Sequence, residues 1–442
     1  MSDEETRGMG ATGMTLAALR TVASSSVVDR LALRGPLNRL VGTISENVFR
    51  TAGGAARAVA KTNGWLRPER PARTARKSDL FDPNPTEEQR MLREAVRDFA
   101  EHEIRPLAAV ADDASATPRP LLDRAWGLGL AAFAVPEALG GAGGERSPVA
   151  SALVAEELAR GDMGIAVAIL APVGVVNALA NWGSGAQQER WLRRFTVDHF
   201  VPAALAIAEP TPLFDPTRLG TRARRVGDGY VLDGVKGLVP HAVDGELFLV
   251  AAQVADEGPG LFLVEAGTPG LSTHAEPTMG IRAAGCGRLV LEGVRLSHEA
   301  RLGDGLVPYD EIVDLSRIAW AALAAGSAQA VLDYVIPYVN DRTAFGEPIS
   351  HRQSVAFLVA NIAVELEAIR MLELRAASRA EQGLPYRREA FLARTLAADK
   401  GMEIGSSGVQ LLGGHGFVKE HPVERWYRDL RAIAVAEGGV MA

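Results

Sequence analysis

At 442 residues the chain exceeds one ordinary core, so two or three domains are expected, and a hydrophobic share of 47% is ample for globular packing. A net charge of −7 gives no support to nucleic-acid binding, and the single cysteine, Cys286, excludes an intrachain disulfide framework and fits a reducing compartment. The opening MSDEETRG is acidic and lacks the basic-then-apolar order of a secretory signal, so a cytoplasmic location is the expectation.

Charge is spread unevenly along the chain. Between Arg20 and Lys77 basic residues far outnumber acidic ones, which sets residues 1–80 apart as a module. Within it Leu37, Leu40, Val41, Ile44 and Val48 fall at helical spacing, with Arg39, Glu46 and Arg50 on other faces. Two fates are open to such a helix: the inner face of an anionic membrane, reached through residues 20–77, or docking on protein, in this subunit or another. RPERPARTARK at 67–77 then reads as an exposed linker. A capping box, TEEQ at 86–89, starts an α domain over 81–202, whose first helix is expected to end before Pro106. From 203 to 302 the period changes: GYVLDGVKGLV, GELFLVAAQV, GLFLVEAG and RLVLEGVRL read as strands, with Asp233-Gly234 as a hairpin signal. Helices return at about 309–338, 350–382 and 387–412, making 303–442 a second α domain. The apolar run 318–332, broken by Ser and Gln, reads as a buried helix and not as a membrane span. The fold class is therefore α+β, in the order α, β, α.

Three features in the last domain carry candidate chemistry. In DRTAFGEPISHRQ at 341–353, Arg342 ends one helix and Gln353 begins the next, and a guanidinium with an amide on neighbouring helix ends can grip a pyrophosphate. Pairing of Arg342 with helix-terminal carbonyls is the structural alternative. In QLLGGHGF at 410–417, Gly413, Gly414 and Gly416 free the backbone to meet a flat or phosphorylated ligand and Gln410 offers donor and acceptor, whereas a helix cap accounts for only one of the glycines. Glu437, after an apolar run, has the makings of a buried base.

In order and spacing, VPEALGG, AEPTPLFDP, GYVLDGVKGLV, TPGLSTHAEPTMGIRAAG, DRTAFGEPISHRQ, QLLGGHGF and ERWYRDLRAIAVAEG resemble the acyl-CoA dehydrogenase family from Pro85 to Gly438. The finer likeness is to an actinobacterial-type group with a basic N-terminal extension. The resemblance implies a barrel-like middle domain, a four-helix-bundle C-terminal domain, and FAD as cofactor. It implies oxidation of the Cα–Cβ bond of an acyl-CoA, with Glu437 taking the α proton, hydride passing to flavin N5, and an electron-transferring flavoprotein as acceptor. Burial of the thioester would exclude water and raise the proton affinity of the base. In some family members the base stands instead at the position of Ser316, which leaves Glu437 without a rival. By position, Arg342, Phe345 and Gln353 match cofactor contacts, and Gln410, Gly413 and Gly414 match the loop that reaches a neighbouring subunit's FAD. A homodimer or homotetramer, or a hetero-oligomer, is implied. Asp314 and Arg317 match substrate-side positions, with a plain helix ion pair as the alternative. No metal site is implied.

The family pattern breaks on the flavin-ring side. AEPTPLFD stands where T-E-P-x-x-G-S-D is usual, so Ala208 lacks a hydroxyl and Leu213-Phe214 replace Gly-Ser, and Leu238-Val239-Pro240 stand for W-I-T. Three lost hydrogen bonds at about 1 kcal/mol each would weaken FAD roughly a hundredfold. The family usually continues past Glu-Gly into Thr and a final helix, whereas here Gly439 follows and the sequence reaches Ala442. The alternative functions are a catalytically silent partner subunit of another dehydrogenase, and a flavin oxidase or monooxygenase on the same scaffold.

Overall fold

The computed structural model describes residues 81–144, 146–305 and 307–442. The basic extension, its amphipathic helix and the linker lie outside the described residues.

Thr86 opens α1 (Glu87–Phe99) with both bonds of the capping box, its hydroxyl accepting from Gln89 N and the Gln89 side chain returning to Thr86 N. The chain does not leave the helix before Pro106. It widens into a π-turn over Ala100–Ile104, tightens into a 3₁₀-turn over Arg105–Leu107 and runs on as α2 (Ala108–Ala114). Proline is tolerated because the π-turn over Ala100–Ile104 widens the helix just before it and absorbs the break that its missing N–H would make. α3 (Arg119–Trp126) and the single turn α4 (Leu130–Phe133) follow, then α5 (Pro148–Gly161), α6 (Met163–Trp182) and α7 (Gly185–Trp191). Asp162 caps α6 through Ile165 N at 3.0 Å. α6 has a mean hydropathy of 2.1 and is long enough to cross a bilayer, but 89% of that stretch is buried inside the protein, as is most of α8 below. Both are core helices.

The middle of the chain forms β1 (Ala203–Ala206), β2 (Arg222–Val226), β3 (Gly229–Val239), β4 (Leu247–Val254), β5 (Gly258–Glu265), β6 (Leu271–Ala275) and β7 (Gly287–Leu296). The strands run in the order β1-β4-β2-β3-β7-β6, with β5 beside β4. Asp233-Gly234 does not make a hairpin. The β2–β3 turn lies at Gly227-Asp228, while Gly234 sits inside β3 at φ +151° where the register with β7 shifts, which is a bulge. The misreading has a local cause: Asp233 accepts from Arg224 and from Gly293 N on its two neighbour strands, so its side chain serves the ladder and not a turn.

Helices return as α8 (Tyr309–Asp341), followed by the two-residue strands β8 (Thr343–Ala344) and β9 (Glu347–Pro348), then α9 (Gln353–Glu381), α10 (Arg387–Leu412) and α11 (Val423–Ala432). These four helices form the C-terminal bundle, and α5 packs along α8 from the N-terminal domain. Finally β10 (Gly438–Gly439) leaves the bundle and adds to the outer edge of β1, making the sheet eight-stranded with β10 and β6 as its ends. The α+β order of helices, sheet and helices is the one expected.

The basic segment of α11 ties the two helical domains together. Arg425 pairs with Asp162 at 3.0 Å, and Arg428 makes two bonds to Asp112, at 2.9 and 2.8 Å, besides those to Glu424. Asp429, fully buried, accepts from Ile281 N at 2.6 Å. These arginines are therefore committed to internal carboxylates and are not available to a phosphate.

Candidate active site and cofactor cavity

Glu437 stands between the end of the bundle and the sheet. Its carboxylate is 15% exposed; Oε1 lies 3.7 Å from Arg317 Nε, and Oε2 has no hydrogen-bond partner. Burial drives its pKa up, against the attraction of Arg394 and Arg317. An isolated buried carboxylate would shift until it was uncharged, so these two guanidiniums keep the ionised form within reach. Arg317 also binds Asp314 at 3.2 Å, one helical turn earlier on α8. The helix ion pair and the contact with Glu437 thus coexist. Asp314 is pushed up to about 6, again by burial first, with Arg317 opposing. Tyr309 closes this corner: its hydroxyl donates to Pro216 O at 2.9 Å, and burial, then the nearby Glu437, raise its pKa.

Arg394 was not singled out from the sequence. It donates to Ala436 O at 2.6 Å, beside Glu437, and its Nε is buried without a partner among the described residues. The signal was available: Ala390, Ala393 and Ala397 are the buried stripe of α10, and an arginine on that stripe needs a reason.

The second cluster lies at the far end of α8. A cavity of about 1130 Å³ is lined by Arg342, Phe345, Gln410, Gly413 and Gly414, joined by Tyr338, Arg352, Ser354 and His415. The expected cofactor contacts are thus brought together, except Gln353, which opens α9 exposed and does not line the cavity. The Arg342 guanidinium makes no hydrogen bond or ion pair among the described residues, so pairing with helix-end carbonyls is not its role. Phe345 and Gly346 take φ +56° and +87°, the positive values a two-residue connection between β8 and β9 uses, and this turn leaves the Phe345 ring 95% exposed. Nothing lies within 4 Å of where a Cβ would sit on Gly413 or Gly414, whereas Gly416 has Val409 O at 2.3 Å. The first two leave open backbone for a ligand; the third is a packing glycine.

The loop after β1 is anchored from below. Lys236, fully buried, donates to Glu209 at 2.9 Å and to Ile207 O at 3.0 Å, and Glu209 also accepts from Gly220 N and Thr221 N. Burial lowers the Lys236 pKa to about 8. Above this anchor Ala208 carries no hydroxyl, Pro240 has no N–H, and the Leu238 N–H is spent on Glu276 at 3.1 Å. Leu213, at φ +52°, is fully exposed. Gly439 packs on Pro240, where a Cβ would come within 3.3 Å of its ring.

Comparison with known proteins bears on both clusters. Models of the acyl-CoA dehydrogenase N-terminal, middle and C-terminal domains match residues 86–197, 204–294 and 303–439. The human mitochondrial short-chain specific acyl-CoA dehydrogenase is 34% identical over 369 residues, 80% of this chain and 87% of the relative. Cyclohex-1-ene-1-carbonyl-CoA dehydrogenase of Geobacter metallireducens is 34% identical over 365 residues, 80% and 95% of the two chains. Among solved structures, butyryl-CoA dehydrogenase from Megasphaera elsdenii superposes with a TM-score of 0.73 at 29% identity, covering 80% of this chain and 95% of its own. A glutaryl-CoA dehydrogenase from Mycobacterium smegmatis in complex with FADH2 gives 0.71 at 25% identity, covering 79% and 90%.

FAD is the family's cofactor, and the cavity residues fit its adenosine diphosphate half: open glycine backbone, an unpaired guanidinium and an exposed ring. Beside β1, Ala208 and Pro240 offer no side-chain donor, and the Leu238 N–H is taken by Glu276. With the three domains matched in order, and with relatives spanned over most of their length, the chain belongs to the acyl-CoA dehydrogenase family of FAD-dependent oxidoreductases.

Proposed function

We propose that the protein dehydrogenates an acyl-CoA thioester across Cα–Cβ with Glu437 as the base. The observation that carries this reading is a buried carboxylate with one unpartnered oxygen and raised proton affinity, flanked by Arg317 and Arg394. An α proton is weakly acidic, and a base of raised pKa in a water-poor corner is matched to it. Bound FAD would accept the two electrons that leave the β carbon as hydride. Arg394 would fix the base through Ala436 O, and Arg317, shared between Asp314 and Glu437, would respond to the charge that moves when Glu437 takes the proton.

Arg342, Phe345, Gln410, Gly413 and Gly414 would hold the pyrophosphate and adenosine. Arg342, the C-cap of α8, follows Arg317 by 25 positions, about 38 Å along a helix, which exceeds the reach of one dinucleotide. This separation supports a homodimer in which each cavity serves the ring site of the other subunit. The relatives' names favour short straight-chain and cyclic acyl-CoAs as substrates, and an electron-transferring flavoprotein is the natural acceptor.

The test is the visible spectrum of protein loaded with FAD, before and after a short acyl-CoA is added anaerobically. A yellow protein that bleaches supports the reading, and protein that takes up no FAD contradicts it.

A further inference from the structure

Immediately after Glu437 the chain turns onto the sheet. Gly438 and Gly439 pair antiparallel with Ala206 and Leu205 of β1. Both take positive φ, +73° and +75°, and a Cβ on Gly438 would lie 2.8 Å from Ile207 Cβ. Only glycine allows so close an approach in this conformation. α8 fastens the segment from the other side: Trp320 Nε1 donates to Gly438 O at 2.8 Å, Ser316 Oγ to the same oxygen at 3.3 Å, and Ala442 N donates to Leu315 O at 3.3 Å. Val440, Met441 and Ala442 are 0%, 5% and 1% exposed, with Met441 N near Gly174 of α6. Five residues thus fill a slot between β1, α6 and α8.

We propose that Gly438–Ala442 is a tethered plug that competes with the flavin ring for the edge of β1. The proposal rests on the reading above, with the ring placed where the family resemblance puts it, beside Ala208 and Pro240. The outer N–H and C=O groups of β1 are the donors and acceptors a flat ring would need there, and β10 now takes them; each serves one strong partner at a time. Pro240, which has no N–H to offer a ring, is the apolar surface on which Gly439 rests. The cavity at the far end of α8 is independent of this slot, and none of residues 438–442 lines it. The adenosine diphosphate half therefore docks with the plug in place, whereas the ring seats only when the plug leaves. Ala436 stays held by Arg394, so the hinge falls at Glu437-Gly438, and release of the plug and the final setting of the base are one movement.

The test is hydrogen exchange on the full chain, alone, with ADP and with FAD, together with FAD and ADP titrations of a chain ending at Gly439 and of Gly439→Val. With ADP, exchange at 438–442 and 203–206 stays as in the free protein; with FAD, exchange at 438–442 speeds up about tenfold or more. The shortened chain and Gly439→Val bind FAD about tenfold more tightly and ADP within about twofold of the full chain. FAD binding with 438–442 still protected overturns the plug, and so does Gly439→Val with no gain in FAD affinity. A shortened chain that binds FAD tightly and is not bleached by acyl-CoA sustains the plug and removes the proposed activity instead.

Discussion

The corner around Glu437 and the cavity around Arg342 hang on the two ends of one helix, α8, and are opposite in construction. At Glu437 the charges are buried and answered from within: Arg317 reaches both Asp314 and Glu437, and Arg394 holds the backbone beside the base. At Arg342 the guanidinium is unpaired, Phe345 is bare and the glycines face open space. In the first region folding alone fixes the charges that surround Glu437, while the second is a half-built surface that a ligand completes. Changes in the first region should therefore be read in stability and in chemistry, and changes in the second in cofactor affinity.

The sharpest way to break this contrast is the buried pair beneath the ring side. Lys236→Met strands the Glu209 carboxylate and should cost about 3–5 kcal/mol of stability, read from denaturant unfolding, while adding Glu209→Leu should return a good part of it. Equal losses in both variants would mean that the pair is not the anchor of that loop. Next comes pH. Asp314 has a raised folded pKa, so the folded state holds a proton that the unfolded chain has released; this group's contribution to stability falls as pH rises from about 4 to about 6 and is constant on either side. The loss across that window is about 3 kcal/mol at most, and Asp314→Asn should flatten it. A wild-type profile whose slope through this window equals that of Asp314→Asn would contradict the assigned direction. The smallest effect belongs to the open cavity. Arg342→Ala should weaken both ADP and FAD by about 1.5–3 kcal/mol in titrations and leave thermal stability unchanged, because its guanidinium has no ion pair or hydrogen bond among the described residues. Gln353→Ala, outside the cavity wall, should leave both affinities within about twofold; a loss as large as that of Arg342→Ala would return Gln353 to the cofactor site.

The same contrast explains what could be read from the residues alone. The capping box at Thr86, the strand runs and the long helices are local patterns, and they gave the α, β, α order. The turn chemistry of Asp233-Gly234 is local as well, yet it misled, because the Asp carboxylate found partners on Arg224 and Gly293 that are set by sheet pairing. Pro106 misled for a similar reason, since a π-turn before it absorbed the break. Arg342, Phe345, Gln410, Gly413 and Gly414 were legible as a group because open, glycine-rich connections keep their chemistry in short motifs. Around Glu437 the candidate carboxylate was legible by position, but Arg394 and the return of Gly438–Gly439 to β1 depend on tertiary contacts between segments far apart in the chain. Only the fold shows Arg425 and Arg428 spent on Asp162 and Asp112.

The central claim is that Glu437 removes the α proton, and its most direct test is rapid anaerobic mixing of a short acyl-CoA with FAD-loaded wild type and with FAD-loaded Glu437→Gln. The account predicts that the wild-type flavin band bleaches and that the variant, with FAD bound equally well, is slower by roughly 10²–10⁴-fold, the usual contribution of a general base. A variant that bleaches at the wild-type rate would contradict it.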